Sequence, residues 1–135
     1  FANALYNRGI ARHNLGEFLS AIQDFDASEI NGLNTAKLYM NRAISKSSIG
    51  RTDDAISDLD RAHGLDSGDE NILQEKGKTL AKAGRLEEAI TAYTAAIGAN
   101  PECALYYNER SVIYQELGLI DESRKDLERG NELKT

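Results

Sequence analysis

Four glycines recur at a fixed interval along the chain. The interval is 34 residues, and the positions are Gly16, Gly50, Gly84 and Gly118. Self-similarity of this period is typical of solenoids, in which one supersecondary unit is stacked repeatedly. The glycine interval therefore predicts an array of repeats, and it points to a binding surface more directly than to a reaction.

Other columns follow the same period. Small residues recur as Gly9, Ala43, Gly77 and Ser111, and larger apolar residues recur as Phe25, Leu59, Tyr93 and Leu127. We expect the small residues to let neighbouring helix backbones approach closely. The columns predict four repeats, at about 2–35, 36–69, 70–103 and 104–135. Because the period runs from end to end, we expect one repeat domain over 1–135.

Each repeat contains two segments with helical spacing of apolar residues. A glycine follows the first segment, where the left-handed conformation ends a helix. The expected helices span about 3–15, 18–30, 35–49, 52–64, 69–83, 86–98, 101–117 and 120–133. Ser67 and Glu70 have capping-box spacing before the fifth helix. Asn100 and Pro101 are expected to be the N-cap and first residue of the seventh.

The third repeat shows the motif most fully. It reads Leu73-x2-Lys76-Gly77-x2-Leu80, then Ala89-x3-Tyr93, and Pro101 follows. Together with the 34-residue period, this pattern resembles the tetratricopeptide repeat family. The resemblance implies an all-α fold, an α-solenoid of four helix-turn-helix repeats with eight antiparallel helices in a right-handed superhelical array. Proline closes only this repeat, so the other turns depart from the pattern.

The resemblance also implies a function. In this family the first helices line a concave groove that binds a protein or peptide, so the chain is interpreted as a non-catalytic adaptor. A merely solvated helix face would be polar, so the apolar residues on the groove stripe indicate a binding surface. Asn7 and Asn41, at equivalent positions in two repeats, can bond a peptide backbone. The candidate groove residues are Tyr6, Asn7, Ile10, Met40, Asn41, Ile44, Glu75, Lys78, Asn108 and Glu109.

One specialisation of the family is disfavoured. Some of its arrays hold the C-terminal carboxylate of a chaperone with basic and Asn residues. The matching places in this chain are Tyr6, Ile10, Asn41, Asn71 and Glu75. Only Asn41 fits, and Glu75 would repel a carboxylate. A chaperone carboxylate clamp is therefore not expected.

Charge and motif content narrow the function classes. The formal net charge is -6, which disfavours nucleic acid and a polybasic membrane anchor as partners. No apolar run is long enough for a membrane span. Nucleophile, phosphate-binding and metal-ligand motifs are absent, so no enzyme activity, metal or cofactor is expected. The single cysteine, Cys103, and the lack of a signal segment make the cytoplasm the default location. A start at Phe1 suggests a processed or excised piece.

Two columns change together along the chain. Arg8, Arg42 and Arg110 each precede an aspartate by sixteen residues, and the third repeat has Lys76 and Ala92 instead. The aspartates are Asp24, Asp58 and Asp126. We therefore predict that each arginine bonds its aspartate across its helix pair.

The two ends of the array differ in polarity. Arg124 occupies the column of Ile22, Ile56 and Ile90, and terminal repeats of solenoids need a polar outer face. We expect the last repeat to be an end cap with no fifth repeat after it, and with Arg124, Glu128 and Asn131 exposed. The N-terminal face carries Phe1, Leu5 and Phe18, so self-association through it is the alternative function, that of a structural scaffold.

Overall fold

The computed structural model describes residues 1–134, and these residues form eight helices and no strand. The all-α helix-turn-helix fold expected from the glycine period is therefore confirmed. The helices are α1 (Ala2–Asn14), α2 (Phe18–Ile30), α3 (Ala36–Ser48), α4 (Thr52–Leu65), α5 (Glu70–Lys82), α6 (Leu86–Ala99), α7 (Ala104–Glu116) and α8 (Ile120–Lys134).

The helices form two compact units. Unit 1 is Phe1–Ser67, and unit 2 begins at Gly68. Each unit contains two helical hairpins, and the second helix of its first hairpin packs against the first helix of its second: α2 against α3, and α6 against α7. The organisation of the whole chain as a single repeat domain stays a prediction.

The periodic glycines end the first helix of each hairpin. All four have a positive φ, between 78° and 81°, in the left-handed region that favours glycine. At Gly84 the following N–H, of Arg85, donates to the carbonyl of Leu80 over 2.9 Å, and the Gly84 N–H donates to Ala81 over 3.0 Å. This pair of bonds is the Schellman ending, so the predicted helix stops are confirmed.

The start of α5 differs from the prediction. Asp69, not Ser67, is the N-cap residue, and its carboxylate accepts the N–H of Asn71 over 3.0 Å. The capping box predicted for Ser67 and Glu70 is wrong. An aspartate directly before Glu70 reaches the free N–H groups and places a negative charge at the positive end of the helix.

The start of α7 also differs. The helix begins at Ala104 with Cys103 as N-cap, so the predicted roles of Asn100 and Pro101 are wrong. Asn100 instead ends α6, and its Oδ1 accepts the N–H of Glu102 over 3.3 Å. This side-chain bond holds Pro101 in a turn, which competes with helix formation.

The small residues on the first helices make room for side chains. A Cβ placed on Gly9 would lie 2.7 Å from the ring of Phe25, and one on Gly77 would lie 2.7 Å from the ring of Tyr93. These glycines therefore leave room for the two aromatic rings, and the close approach of helix backbones stays a prediction. In the second hairpin of unit 1, the residues at the equivalent positions are Ala43 and the smaller Leu59, both buried.

The predicted arginine–aspartate pairs are confirmed in all three repeats. Each guanidinium uses Nε and Nη2 to hold both oxygens of its aspartate. The Nη2–Oδ1 distances are 2.8 Å for Arg8–Asp24, 2.9 Å for Arg42–Asp58 and 2.7 Å for Arg110–Asp126. Such fork-to-fork pairs fix two helices in register.

The last hairpin has the exposed polar face expected of it. Arg124 is 62% exposed and forms ion pairs with Asp121 and Glu128 of its own helix. Asn131 is exposed as well. Exposed pairs of this kind contribute little to stability, so this face is solvated as predicted.

Candidate functional site

In unit 1 the first helices of the two hairpins meet through two candidate groove residues. Asn41 on α3 donates from Nδ2 to the hydroxyl oxygen of Tyr6 on α1 over 2.8 Å. Asn7, its equivalent on α1, is exposed. The bond uses one of the two N–H groups of the Asn41 amide. The two equivalent asparagines therefore differ, since Asn41 positions Tyr6 while Asn7 faces solvent.

The apolar groove residues of unit 1 rest on its core. Tyr6 and Ile10 pack against the buried cluster formed by Ala21, Phe25 and Leu38. Met40 and Ile44 on α3 are partly exposed. Residues held from below by a packed core have little rotamer freedom. The stripe is thus a fixed surface with partly exposed apolar atoms.

An open depression of about 480 Å³ lies beside this stripe and shares Tyr6 with it. Its other lining residues are Asn3, Leu33, Thr35, Ala36, Lys37, Leu65 and Asp66. Of these lining residues, the candidate groove residues from the sequence include only Tyr6. Leu33 and Leu65 stand close to the ends of the second helices, which helical spacing on the first helices does not identify.

Candidate residues in unit 2 make bonds within the unit. Glu109 accepts from Gln74 Nε2 over 2.7 Å and from the Tyr93 hydroxyl over 2.6 Å. Glu75 pairs with Lys78 at 3.3 Å. Asn108 is partly buried on α7. Both acids among the candidate groove residues are thus already engaged by neighbours.

The Tyr93–Glu109 bond makes stability depend on alkaline pH. Burial, followed by the bond to Glu109, raises the pKa of Tyr93 above its usual range. Burial also raises the pKa of Tyr106 to about 12. In the unfolded chain both tyrosine hydroxyls ionise near pH ~10, whereas in the folded chain they stay protonated to higher pH. Their contribution to the stability of the fold is therefore complete below that pH and is lost as the pH rises.

We expect the Tyr93→Phe variant to lose less stability than wild type between about pH 9 and about pH 11. At neutral pH the free energy of unfolding of the variant should be lower by about 1 kcal/mol, because the hydrogen bond to Glu109 is gone. Urea unfolding midpoints at several pH values measure both effects. Parallel pH profiles for the two proteins would contradict this assignment.

His13 has a packing role. Its Nδ1 lies 2.9 Å from Ser45 Oγ, and its ring lies 5.2 Å from that of Phe18. Ser45 is fully buried, so it is closed to a substrate. Within residues 1–134, no group of three or more His, Cys, Asp or Glu could hold a metal ion. In the same part of the chain, every helix is too short or too polar to cross a membrane.

Comparison with known proteins supports the fold. Residues 75–130 match the family model described as tetratricopeptide repeat. The comparison with curated proteins returns no significant match.

Solved structures of similar fold cover nearly the whole chain. A crystal structure of MamA has a TM-score of 0.90 at 22% identity, covering 98% of this chain and 78% of that one. MamA 41-end from Desulfovibrio magneticus RS-1 has a TM-score of 0.90 at 20% identity, with 99% and 76% covered. YrrB, titled a TPR protein with an unusual peptide-binding site, has a TM-score of 0.84 at 20% identity, with 98% and 68% covered. The four glycine-stopped helical hairpins and these shared folds establish a helical-repeat fold of this type, and residues 75–130 carry the tetratricopeptide repeat match.

Proposed function

We propose that the chain is a protein-binding adaptor and that unit 1 supplies its peptide groove. The observation that carries this proposal is the open depression of about 480 Å³ beside the partly exposed residues of α1 and α3. Binding sites are concave and mostly apolar, with a few convergent polar groups. The likeness to YrrB, a protein with an unusual peptide-binding site, is consistent with this use of the fold.

The chemistry of the groove suits an extended peptide with an apolar side chain. Ile10, Met40 and Ile44 offer apolar surface, and Leu33 and Leu65 continue it into the depression. The Tyr6 hydroxyl accepts from Asn41 and can still donate its own hydrogen to a peptide carbonyl. Exposed Asn7 can bond a backbone amide in the same way. The ligand is bound unchanged, since the proposal includes no chemical step.

The unit 2 residues belong to the same proposal with a different role. Lys78 is half exposed beside Glu75, and this pair can bond polar side chains of a ligand. Glu109 is engaged by Gln74 and Tyr93, so it shapes the surface through those contacts. We therefore expect the affinity to depend mainly on unit 1.

The decisive experiment uses peptides selected from a random display library against the chain. A double variant, Asn41→Ala with Ile44→Asp, should weaken their binding at least about tenfold, because hot-spot residues carry most of an interface's free energy. Fluorescence anisotropy with the labelled peptides measures the dissociation constants.

A matched control carries the same two types of substitution elsewhere. Asn131→Ala with Ile120→Asp changes exposed residues of α8 and should leave affinity unchanged. Circular dichroism shows whether both variants stay folded. The site would lie elsewhere if the peptides bound the groove variant as tightly as wild type and bound the control variant more weakly.

Self-association is a second candidate, favoured by the apolar exposure of unit 1. Phe1, Leu15 and Leu19 are 86%, 75% and 64% exposed. Phe18, expected on the same face, instead packs against His13. Sedimentation velocity over a wide concentration range separates the two functions, because a scaffold should show increasing mass and an adaptor should stay monomeric.

A further inference from the structure

The arginine of each recurring arginine–aspartate pair has three donor groups, and the aspartate uses only two. Nε and Nη2 hold the carboxylate, which leaves Nη1 for another partner. In unit 1, Arg42 Nη1 donates to Asp26 over 2.9 Å and to Glu29 over 2.8 Å. Both acceptors lie on α2, the second helix of the preceding hairpin. The third donor group of Arg42 thus bonds two carboxylates on a neighbouring helix.

Unit 2 repeats this arrangement. Arg110 Nη1 donates to the hydroxyl of Thr94 over 3.0 Å. Thr94 lies on α6 at the position that corresponds to Asp26 on α2, sixteen residues before its arginine. The same docking geometry therefore occurs in both units, and in each case a helix covers the guanidinium.

Arg8 has the same geometry without the covering helix. Its Nε and Nη2 hold Asp24, and within residues 1–134 its Nη1 has no hydrogen-bond partner. The Arg8 side chain is 55% exposed, against 8% for Arg42 and 15% for Arg110. The Nη1 group of Arg8 is therefore open to solvent, whereas the equivalent group of Arg42 bonds two carboxylates.

The surroundings of Arg8 carry excess positive charge. Arg12, 33% exposed, also bonds Asp24, with Nη1 at 3.2 Å from Oδ2. Two guanidinium groups therefore share one buried carboxylate. Leu5, at the column of Tyr39, is partly exposed, whereas Tyr39 is fully buried. This face, made of Leu5, Arg8 and Arg12, combines an uncovered apolar residue with unbalanced cations.

We propose that the Leu5–Arg8–Arg12 face docks an acidic amphipathic helix of a partner protein. The chain itself shows what fits. On α2 the fitting helix has apolar Ile22 and Phe25, each followed four residues later by an acid, Asp26 and Glu29. Spacings of three and four residues place all of these on one helical face. A partner helix with carboxylates three residues apart satisfies Nη1 with charge-assisted bonds.

A second copy of the chain is a poor occupant. On α8, Glu128 stands at the place of Asp26, but Arg124 stands at the place of Ile22 and Asn131 at that of Glu29. Arg124 would face Arg8 and Arg12, and like charges in contact are repulsive. An acidic helix of another protein fits the surface better than α8 of a second copy does.

The test uses the whole chain and a labelled synthetic peptide that copies residues 17–33, which include α2. The acidic peptide should bind, and a peptide with Asp26→Asn and Glu29→Gln should bind about tenfold more weakly, as the loss of charge-assisted bonds predicts. Fluorescence anisotropy reports both affinities.

Protein variants locate the site. Arg8→Gln should lower the affinity for the acidic peptide to that of the neutral peptide. Arg51→Gln removes the same charge at an exposed position of unit 1 and should leave the affinity unchanged. Leu5→Glu keeps Arg8 and Asp24 but puts a negative charge and no apolar contact on the face, so it should abolish binding even if Arg8→Gln proves unstable. The groove variant Asn41→Ala with Ile44→Asp should bind normally, which separates this surface from the peptide groove.

Three outcomes would overturn the proposal. The first is equal binding of the acidic and neutral peptides. The second is an acidic peptide that binds Leu5→Glu as tightly as wild type. The third is concentration-dependent self-association that Arg8→Gln removes and Arg51→Gln keeps, which would assign the face to a second copy.

Discussion

Replacing Arg42 with alanine should destabilise the chain by about 3 kcal/mol or more, since breaking a buried ion pair leaves its partner charged and uncompensated. Arg42 is 8% exposed and bonds Asp58, Asp26 and Glu29. Its guanidinium also lies 5.4 Å from the ring centre of Tyr39. Lys46 lies 2.9 Å from Asp58 and still pairs with it in the variant, so we expect the loss of stability to be close to this lower bound. Urea unfolding followed by far-UV circular dichroism measures it.

Two further variants test the physical reason. Arg8→Ala should cost less than Arg42→Ala, because Arg8 is half exposed and holds a single carboxylate. Arg42→Met with Asp58→Asn should be more stable than Arg42→Met alone, since the double variant leaves no charge at Asp58. Equal losses for Arg8→Ala and Arg42→Ala would show that burial does not set the cost.

Gly9→Ala should destabilise unit 1 although alanine favours helices. The new Cβ would lie 2.7 Å from the ring of Phe25, which is fully buried. Overpacking of this kind costs about 1–3 kcal/mol, against a helix-propensity gain of about 1 kcal/mol. We expect a net loss, which urea unfolding measures.

The sign should reverse when the ring is removed. In a Phe25→Leu background, Gly9→Ala should be stabilising, because the clash is gone and the helix propensity remains. The chain already uses this combination in Ala43 and Leu59, both buried. A loss of the same size in both backgrounds would mean that the Phe25 ring does not cause the strain.

Repeat period, helix positions and ion pairs could be predicted because they leave periodic marks. A glycine that ends a helix and an arginine sixteen residues before an aspartate appear several times in one chain, so each occurrence supports the others. The helix starts at Asp69 and Cys103 appear once each. Hydrogen bonds made by the side chains of Asp69 and Asn100 set where these two helices begin. Competing caps of similar strength cannot be ranked from sequence.

The candidate groove was predictable only as a stripe. Helical spacing gives the face on which Tyr6 and Asn41 lie, but not the bond between them, because that bond joins side chains of different hairpins. Likewise, Glu109 was expected to meet a ligand and instead accepts from Gln74 and Tyr93. Helix-to-helix distances decide such contacts, and single-helix periodicity does not contain them.

The central claim is that a peptide ligand occupies the first helices of unit 1, and Met40 reports on it directly. The chain has one methionine, so methyl-¹³C methionine labelling gives a single resonance from the proposed groove. Titration with a library-selected peptide should shift this resonance with the dissociation constant found by anisotropy, and the shift should be lost in Asn41→Ala with Ile44→Asp. A saturated complex in which the Met40 methyl resonance is unchanged would contradict the account.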